Sequence, residues 1–454
     1  MQLRYLALVP GLLLPVACGG DDPPENKDAS CTPGGVSTCK DGKVCEEVEG
    51  GEPACFAPLV LRGRVFDTTS DDGIEGARVV ARDANDAAIS PVAVTAADGT
   101  YSLNVPAKRA SDGSVLADDV TLRADAAHYL TFPRAPRTAI PIHLDEATGD
   151  APAIENALTE VGLIPLAESD GLGTVRGRVT SERPGGALVV VAGATGVADS
   201  DGDYAVFNVP AGDAEARGYL PGVNLESRAV EVPADGEVTG VDLDKTSDAT
   251  AVVSGNVQIV NAPGGSTTSV ILVLEDTFSE LTLRGETPPG LRVADVSGAF
   301  SIPDVPDGDY VALAAFENDG LVRDPDTSIG GTEIVHLSVN GASVTLSEGF
   351  KVTEALAVVA PGADGIDTVS GTPTFTWDDD SSEDTYTVAL FDALGTQVWE
   401  AEGVVGPNGN APATTTYDGP ALTPGMYYQF RAVSIKDGVP ISSTEDLKGV
   451  FVYE

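Results

Sequence analysis

Basic residues are scarce in this sequence. Of its 454 residues, 26 are Lys or Arg and 70 are Asp or Glu, which gives a formal net charge of −44. Nucleic-acid binding depends on clustered Lys and Arg that neutralise phosphates, so we expect no nucleic-acid partner. The excess of carboxylates is typical of the solubilising surface of an exported protein.

Catalytic motifs are also lacking. The three histidines, His128, His143 and His336, stand far apart and form no H-E-x-x-H or other pair at metal spacing. There is no G-x-S-x-G nucleophile elbow, no G-x-G-x-x-G and no P-loop. We therefore predict a protein that is not an enzyme and has no cofactor, with each histidine a surface or strand residue.

Aromatic residues make up 6% of the chain, and only two of them are Trp. Carbohydrate sites commonly present exposed aromatic rings, and the candidates for such a ligand-binding platform are Trp399, Tyr417 and Tyr427. The alternative is that these rings pack in the core or at its rim.

Long apolar runs are confined to the N-terminus. Arg4 precedes an apolar stretch from Tyr5 to Ala17, which is too short for a membrane span. The residues Leu14-Pro15-Val16-Ala17-Cys18 resemble a bacterial lipoprotein signal, although Pro15 stands where that signal prefers Leu. The resemblance implies cleavage before Cys18, lipidation of Cys18 and attachment to the cell-envelope membrane, with the outer membrane or cell surface as the expected location. Ordinary signal cleavage and secretion is the alternative.

Cysteine is absent beyond position 55. Apart from Cys18, the chain has Cys31, Cys39, Cys45 and Cys55, an even set in a short segment of an exported protein. This pattern predicts two disulfides, with three connectivities open. A Cys₄ zinc site is the rival, but the spacing lacks the paired C-x₂-C that such sites use.

The rest of the chain contains Val, Thr, Gly, Pro and Asp in strand-and-turn patterns, and one signature occurs three times. The first copy has an opening Gly63-Arg64-Val65, an Asp98-Gly99 turn and the alternating strand Tyr101 to Val105. The second and third copies open at Gly177 and Gly255 and carry the later aromatic residue at Tyr204 and Phe300.

The spacing after the aromatic residue differs between copies. Tyr101 lies four residues before Val105, whereas five residues separate Tyr204 from Val209 and Phe300 from Val305. Because side chains alternate along a strand, an odd spacing places Val on the opposite face unless a β-bulge intervenes. The sequence therefore predicts a bulge in copies two and three and none in copy one.

These motifs resemble the carboxypeptidase regulatory-like family, a transthyretin-like β-sandwich that accompanies metallocarboxypeptidases. The resemblance implies three tandem sandwiches without the zinc peptidase domain. In the last module, Leu422 to Ala432 resembles the tyrosine corner of fibronectin type III domains, with Tyr428 as the corner residue and Trp377 in the core. The fold class is therefore predicted to be all-β.

The predicted organisation follows from these features. It comprises a signal peptide at 1–17, a flexible tether at 18–30, a disulfide knob at 31–57, three sandwiches at 59–165, 172–247 and 249–356, and a fibronectin III-like sandwich at 358–454.

One acidic turn is a weak calcium candidate. Asp199, Asp201 and Asp203 alternate along a loop, and alternating carboxylates can converge on Ca²⁺. The glycine at position 202 falls where the β-module needs a turn, so a structural turn is the preferred interpretation.

These observations together predict a non-enzymatic envelope lipoprotein, with its sandwiches in a row as a surface stalk, an adhesion protein or a protein-interaction scaffold. The alternatives are a carbohydrate-binding surface protein and an accessory subunit that positions a separately encoded hydrolase. The partners expected are the membrane, through the lipid anchor, and an unidentified protein or glycan.

Overall fold

The computed structural model describes residues 31–33, 39–149, 151–260, 268–282, 284–316, 324–325, 334–347, 349–353, 355–379, 383–407, 411–444 and 448–454. The predicted signal peptide, the tether and Cys18 lie outside these residues. Within them the fold is all-β, as predicted: strands are joined by turns and three short 3₁₀ helices. No helix among them is long and apolar enough to cross a membrane.

The knob is a two-stranded sheet closed by two disulfides. β1 (Val44–Glu46) pairs antiparallel with β2 (Ala54–Phe56), and Cys45 lies opposite Cys55. The disulfides join Cys31 to Cys45 and Cys39 to Cys55, so the two loops interleave. A segment this short has little apolar core of its own, and the crosslinks hold it together.

Module 1 follows directly. Its strands are β3 (Leu59–Asp67), β4 (Arg78–Arg82), β5 (Ala93–Val94), β6 (Thr100–Val105), β7 (Asp119–Asp125), β8 (Ile142–His143), β9 (Ala153–Ile154) and β10 (Val161–Leu163). Its two 3₁₀ helices are η1 (Leu144–Glu146) and η2 (Ala157–Thr159).

Module 2 has nine strands, and the described part of module 3 also has nine. Module 2 comprises β11 (Leu172–Thr180), β12 (Leu188–Val191), β13 (Ala194–Val197), β14 (Asp203–Pro210), β15 (Gly212–Leu220), β16 (Val223–Leu225), β17 (Arg228–Val232), β18 (Glu237–Val238) and β19 (Leu243–Asp248). Module 3 comprises β20 (Ala251–Val260), β21 (Thr268–Leu274), η3 (Glu275–Thr277), β22 (Arg292–Val296), β23 (Ala299–Val305), β24 (Gly308–Phe316), β25 (Asp324–Pro325), β26 (Val335–Val339), β27 (Val344–Thr345) and β28 (Phe350–Thr353).

Modules 1, 2 and 3 share one pairing scheme. The opening strand (β3, β11 or β20) pairs antiparallel with the strand after the turn (β6, β14 or β23). It pairs parallel with the last two strands of its own module. The second strand (β4, β12 or β21) pairs antiparallel with β7, β15 or β24. In module 2 these layers join into a single nine-stranded sheet, because β16 pairs with both β15 and β19.

The bulge prediction is confirmed. The pairing of β3 with β6 is continuous from Leu59 to Arg64. The register shifts between β11 and β14 and between β20 and β23, and the extra residue lies before Val209 and before Val305. Asn208 and Asp304 take positive φ angles of 59° and 57° at these points. Each bulge keeps the following valine in the core.

The described part of module 4 forms two sheets. Its strands are β29 (Val358–Ala360), β30 (Asp367–Val369), β31 (Thr374–Trp377), β32 (Thr385–Asp392), β33 (Gln397–Val404), β34 (Ala413–Thr416), β35 (Tyr427–Lys436), β36 (Val439–Ser443) and β37 (Val450–Tyr453). Trp377 is buried in the core, as predicted, with its ring 5.2 Å from that of Tyr386. The hydroxyl of Tyr428 accepts the backbone N–H of Thr423 at 2.9 Å, as expected of a corner tyrosine.

The modules do not stand apart, because they pack against one another through shared apolar clusters. All four residues of β12 are buried: Val189 and Val191 face the core of module 2, while Leu188 and Val190 join a cluster that includes the module 3 core. Val80 of module 1 belongs to the same shared cluster. A second apolar cluster joins modules 1 and 4 and includes Leu130, Ile164 and Ala393.

Candidate functional site

The repeated signature has a structural role. Gly63 lies opposite Tyr101, and a side chain at Gly63 would collide with the carbonyl oxygen of Thr159, to which the Tyr101 hydroxyl donates at 2.7 Å. Glycine is needed there because the crossing segment approaches the backbone so closely. The tyrosine satisfies the carbonyl, and burial raises the pKa of Tyr101, which keeps the hydroxyl a neutral donor.

The second copy repeats this arrangement. A side chain at Gly177 would collide with the carbonyl oxygen of Val241, which accepts the Tyr204 hydroxyl. In the third copy the ring of Phe300 lies against Gly255 and has no hydroxyl to donate. The signature thus builds the core of each module.

The knob is anchored to module 1 by a buried ion pair that the sequence did not reveal. The side chains of Glu46 and Arg109 are 2% and 5% exposed, and Nε of Arg109 donates to Oε2 of Glu46 at 2.5 Å. Glu46 also accepts the backbone N–H of Ala107, while Arg109 donates to the carbonyl of Ala57 and covers the ring of Phe56. Burial raises the pKa of Glu46 against the opposing effect of Arg109.

A polar network lies where modules 1, 2 and 3 meet. Arg123, with a side chain 2% exposed, donates to both carboxylate oxygens of Asp125 at 2.8 and 3.1 Å. It also lies 3.4 Å from the Thr195 hydroxyl of module 2 and 3.8 Å from Glu286 of module 3. Burial alone would lower the pKa of Arg123, but the charges of Asp125 and Glu286 outweigh it and raise that pKa. The network therefore fixes the three modules against each other.

The two bulges provide further contacts between modules. The side chain of Asn208 accepts the N–H of His128 at 2.6 Å and donates to the carbonyls of Ala126 and Tyr129 at 3.2 and 2.9 Å. In the next module, the carbonyl of Asp304 accepts the N–H of Gly222 at 2.8 Å. Each bulge therefore contacts the preceding module.

The acidic turn does not gather its carboxylates. Oδ1 of Asp199 accepts the N–H groups of Asp201 and Asp203 at 3.0 and 2.9 Å, and burial raises the pKa of Asp199. Asp203 pairs with Arg178 at 2.8 Å, while Asp201 is exposed. The only potential metal ligands that cluster in the described part are sulfurs of Cys31, Cys39 and Cys55, all held in disulfides.

The three aromatic candidates are also engaged in packing. Nε1 of Trp399 donates to Asp418 at 2.7 Å, and its ring lies 5.3 Å from that of Tyr417, whose hydroxyl donates to the Pro420 carbonyl. Arg137 of module 1 covers the ring of Tyr427 at 4.8 Å. Among the aromatic side chains that the structure describes, none is exposed.

The histidines form no shared site. His143 begins an H-x-x-E sequence that ends at Glu146, but its Nδ1 lies 2.7 Å from Asp119, whose hydrogen bond raises the pKa of His143. His336 contacts Glu275 at 2.7 Å in module 3. His128 lies in module 1, where its backbone N–H is held by Asn208 of module 2.

A cleft lies where modules 1, 3 and 4 meet. It has a volume of about 230 Å³ and is lined by residues 133–135, by parts of 277–286 and by residues 393–395. Arg284 of module 3 donates to Oε1 of Gln429 at 2.6 Å, and Arg431 donates to the carbonyl of Thr282. These bonds hold modules 3 and 4 together beside the cleft.

Comparisons with known proteins add little to this geometry. No family model matches the chain, so the resemblance to the carboxypeptidase regulatory-like and fibronectin III families remains a prediction. No curated protein matches it either.

Solved structures with similarity to the chain include, by their titles, pilins and an adhesion protein. The Bacillus anthracis TIE protein is 10% identical over 84% of this chain and 66% of that one, just under two thirds, with a TM-score of 0.16. A streptococcal ancillary pilin is 12% identical over 64% of this chain and 98% of that one, with a TM-score of 0.19. A tetra-tandem repeat of a large adhesion protein is 15% identical over 86% and 98%, with a TM-score of 0.13. Scores this low carry no argument about function.

Proposed function

We propose that the chain is a non-enzymatic protein of the bacterial cell envelope, anchored through lipidated Cys18, that acts as a surface structural or adhesion scaffold. The observation that carries the proposal is the disulfide knob that precedes module 1. It is closed by two disulfides, which persist in oxidising extracytoplasmic compartments. A buried ion pair docks it onto module 1. In this proposal the knob joins the tether to module 1 through this ion pair.

The packing between modules supports a scaffold role. The Arg123 network, the bulge contacts and the shared apolar clusters join neighbouring modules over buried surfaces. A scaffold built this way presents its loops in fixed relative positions, and loops on a rigid framework are the usual sites of recognition. A glycan stacked on exposed aromatic platforms is less well supported, because the described aromatic rings are all covered at least in part.

Membrane fractionation with surface proteolysis tests the proposal. Cys18→Ala removes the acylation site and is expected to move the protein from the envelope pellet to the soluble fraction. Pro15→Leu restores the residue that lipoprotein signals prefer and serves as the matched control, which should stay in the pellet. Protease added to intact cells should digest the anchored protein. A Cys18→Ala variant that still pellets would contradict the anchor, and full protection from protease would contradict surface exposure.

A further inference from the structure

The cleft between modules 1, 3 and 4 is unusual for its charge. Arg134 and Arg284 line it in a chain whose net charge is −44. Glu286 is the only acidic residue of the lining, and its two oxygens lie near groups of the buried network, 3.5 Å from the Thr195 hydroxyl and 3.8 Å from Arg123. The cleft is therefore a positive site on an acidic protein.

Arg134 is the residue on which the site depends. Among the described residues, eight other arginines lie within ion-pair distance of an acidic side chain, whereas Arg134, like Arg62 and Arg183, does not: the paired ones are Arg64, Arg82, Arg109, Arg123, Arg176, Arg178, Arg217 and Arg228. Arg134 is exposed and, among the described residues, has no such partner. An unpaired guanidinium at the mouth of a cleft is positioned to receive an anion, and its planar fork suits a carboxylate in two-point contact.

The remaining lining suits an organic molecule. Ser279 offers a hydroxyl with no side-chain partner in the described residues, whereas the Thr277 hydroxyl already bonds to Leu274 and Glu286. Pro133, Ala135, Ala393 and Leu394 supply apolar surface. The cleft, at about 230 Å³, is smaller than the roughly 300–1,000 Å³ of pockets for drug-sized ligands, so it suits a small molecule.

We propose that this cleft binds a small organic carboxylate no larger than a single sugar acid. In this proposal the ligand carboxylate binds Arg134 at the entrance, with Arg284 beyond it. A ligand hydroxyl hydrogen-bonds to Ser279, and the carbon skeleton contacts Leu394. The site forms only when three modules are packed together, which is why no single module carries a motif for it. Modest affinity is expected from so small a ligand, with a Kd of about 1 mM.

Calorimetry or ligand-observed NMR on the full chain tests the proposal with four probes: glucuronate, acetate, glucose and sulfate. Glucuronate should bind, and neutral glucose should not. If acetate binds as tightly as glucuronate, the ligand class is a free small acid. If glucuronate binds more tightly than acetate, the ligand class is a sugar acid. Either result supports the site.

Matched variants locate the binding. Arg134→Gln should weaken glucuronate at least about tenfold, since it removes a hydrogen-bonding charged group. Arg62→Gln, at an exposed arginine outside the cleft, should leave binding unchanged. Thermal melting of both variants should match the parent, which separates loss of binding from loss of folding. The proposal is overturned if no probe binds, if glucose binds as well as glucuronate, if sulfate binds tighter than both acids, or if Arg134→Gln binds glucuronate normally.

Discussion

The ion pair between the knob and module 1 makes a sharp stability prediction. Glu46→Gln removes the charge that faces Arg109 while keeping the shape of the side chain. Both partners are almost fully buried, at 2% and 5% exposed, so water cannot replace the lost charge. Removing one member of a buried pair typically destabilises by about 3–5 kcal/mol, because the remaining charge is left buried without compensation.

Hydrogen exchange across β1, β2 and residues 105–116 measures this change. A local readout is needed because a chain of several modules does not unfold in one two-state step. Glu237→Gln is the control: it disrupts the pair between Glu237 and Arg176, whose side chains are 45% and 34% exposed. Exposed pairs contribute about 0–1 kcal/mol, so the control should change little.

A double variant separates the charge from the packing. Glu46→Leu with Arg109→Met replaces the pair with apolar groups, and such replacements are often neutral or stabilising. We expect it to recover most of the stability that Glu46→Gln loses. The reasoning is refuted if Glu46→Gln costs no more than Glu237→Gln, which would mean that the knob does not bury the pair in solution.

Two further predictions follow from the same contacts. Val190→Thr should lower the free energy of unfolding by about 1–3 kcal/mol, because the new hydroxyl is buried between modules. Val189→Thr should cost a similar amount inside module 2. If the modules were separate, urea unfolding would show Val190→Thr to be nearly neutral. Asn208→Gly relieves the positive φ but removes three hydrogen bonds to module 1, so amide hydrogen exchange at residues 126–129 should become faster. Unchanged protection at these residues would contradict the contact between the bulge and module 1.

Local pattern was sufficient for much of the fold. The odd spacing from Tyr204 to Val209 predicted a bulge from strand alternation alone, and the register shift lies there. Trp377 and Tyr428 were predicted from short motifs, and both have the expected surroundings. The number and positions of the cysteines predicted two disulfides, but their connectivity could not be deduced, because each pairing is compatible with the same spacing.

Such local patterns did not predict the candidate site. Trp399, Tyr417 and Tyr427 were candidates because they are scarce aromatic residues. Trp399 and Tyr417 instead pack against each other from separate parts of module 4, and Arg137 of module 1 covers Tyr427. Arg134 carries no sequence signal at all. Its importance arises only because modules 3 and 4 lie beside it.

One signal of module packing was present in the sequence. Strands buried on both faces have continuous apolar runs instead of alternation. Leu188–Val191 and residues 270–274 within β21 are such runs, and every residue in them is buried. These runs indicate a second covered face, although they do not identify the module that covers it.

The sequence by itself determined the all-β class, the repeated Gly and Tyr signature, the bulges and the paired cysteines, because these depend on alternation, turn geometry and spacing along one chain. Tertiary structure alone decided how the modules meet. Glu46 contacts Arg109, which is 63 residues away in the sequence, and Arg284 contacts Gln429, which is 145 residues away. Such pairs depend on which surfaces dock, and the free energy of docking is spread over contacts that no local segment contains.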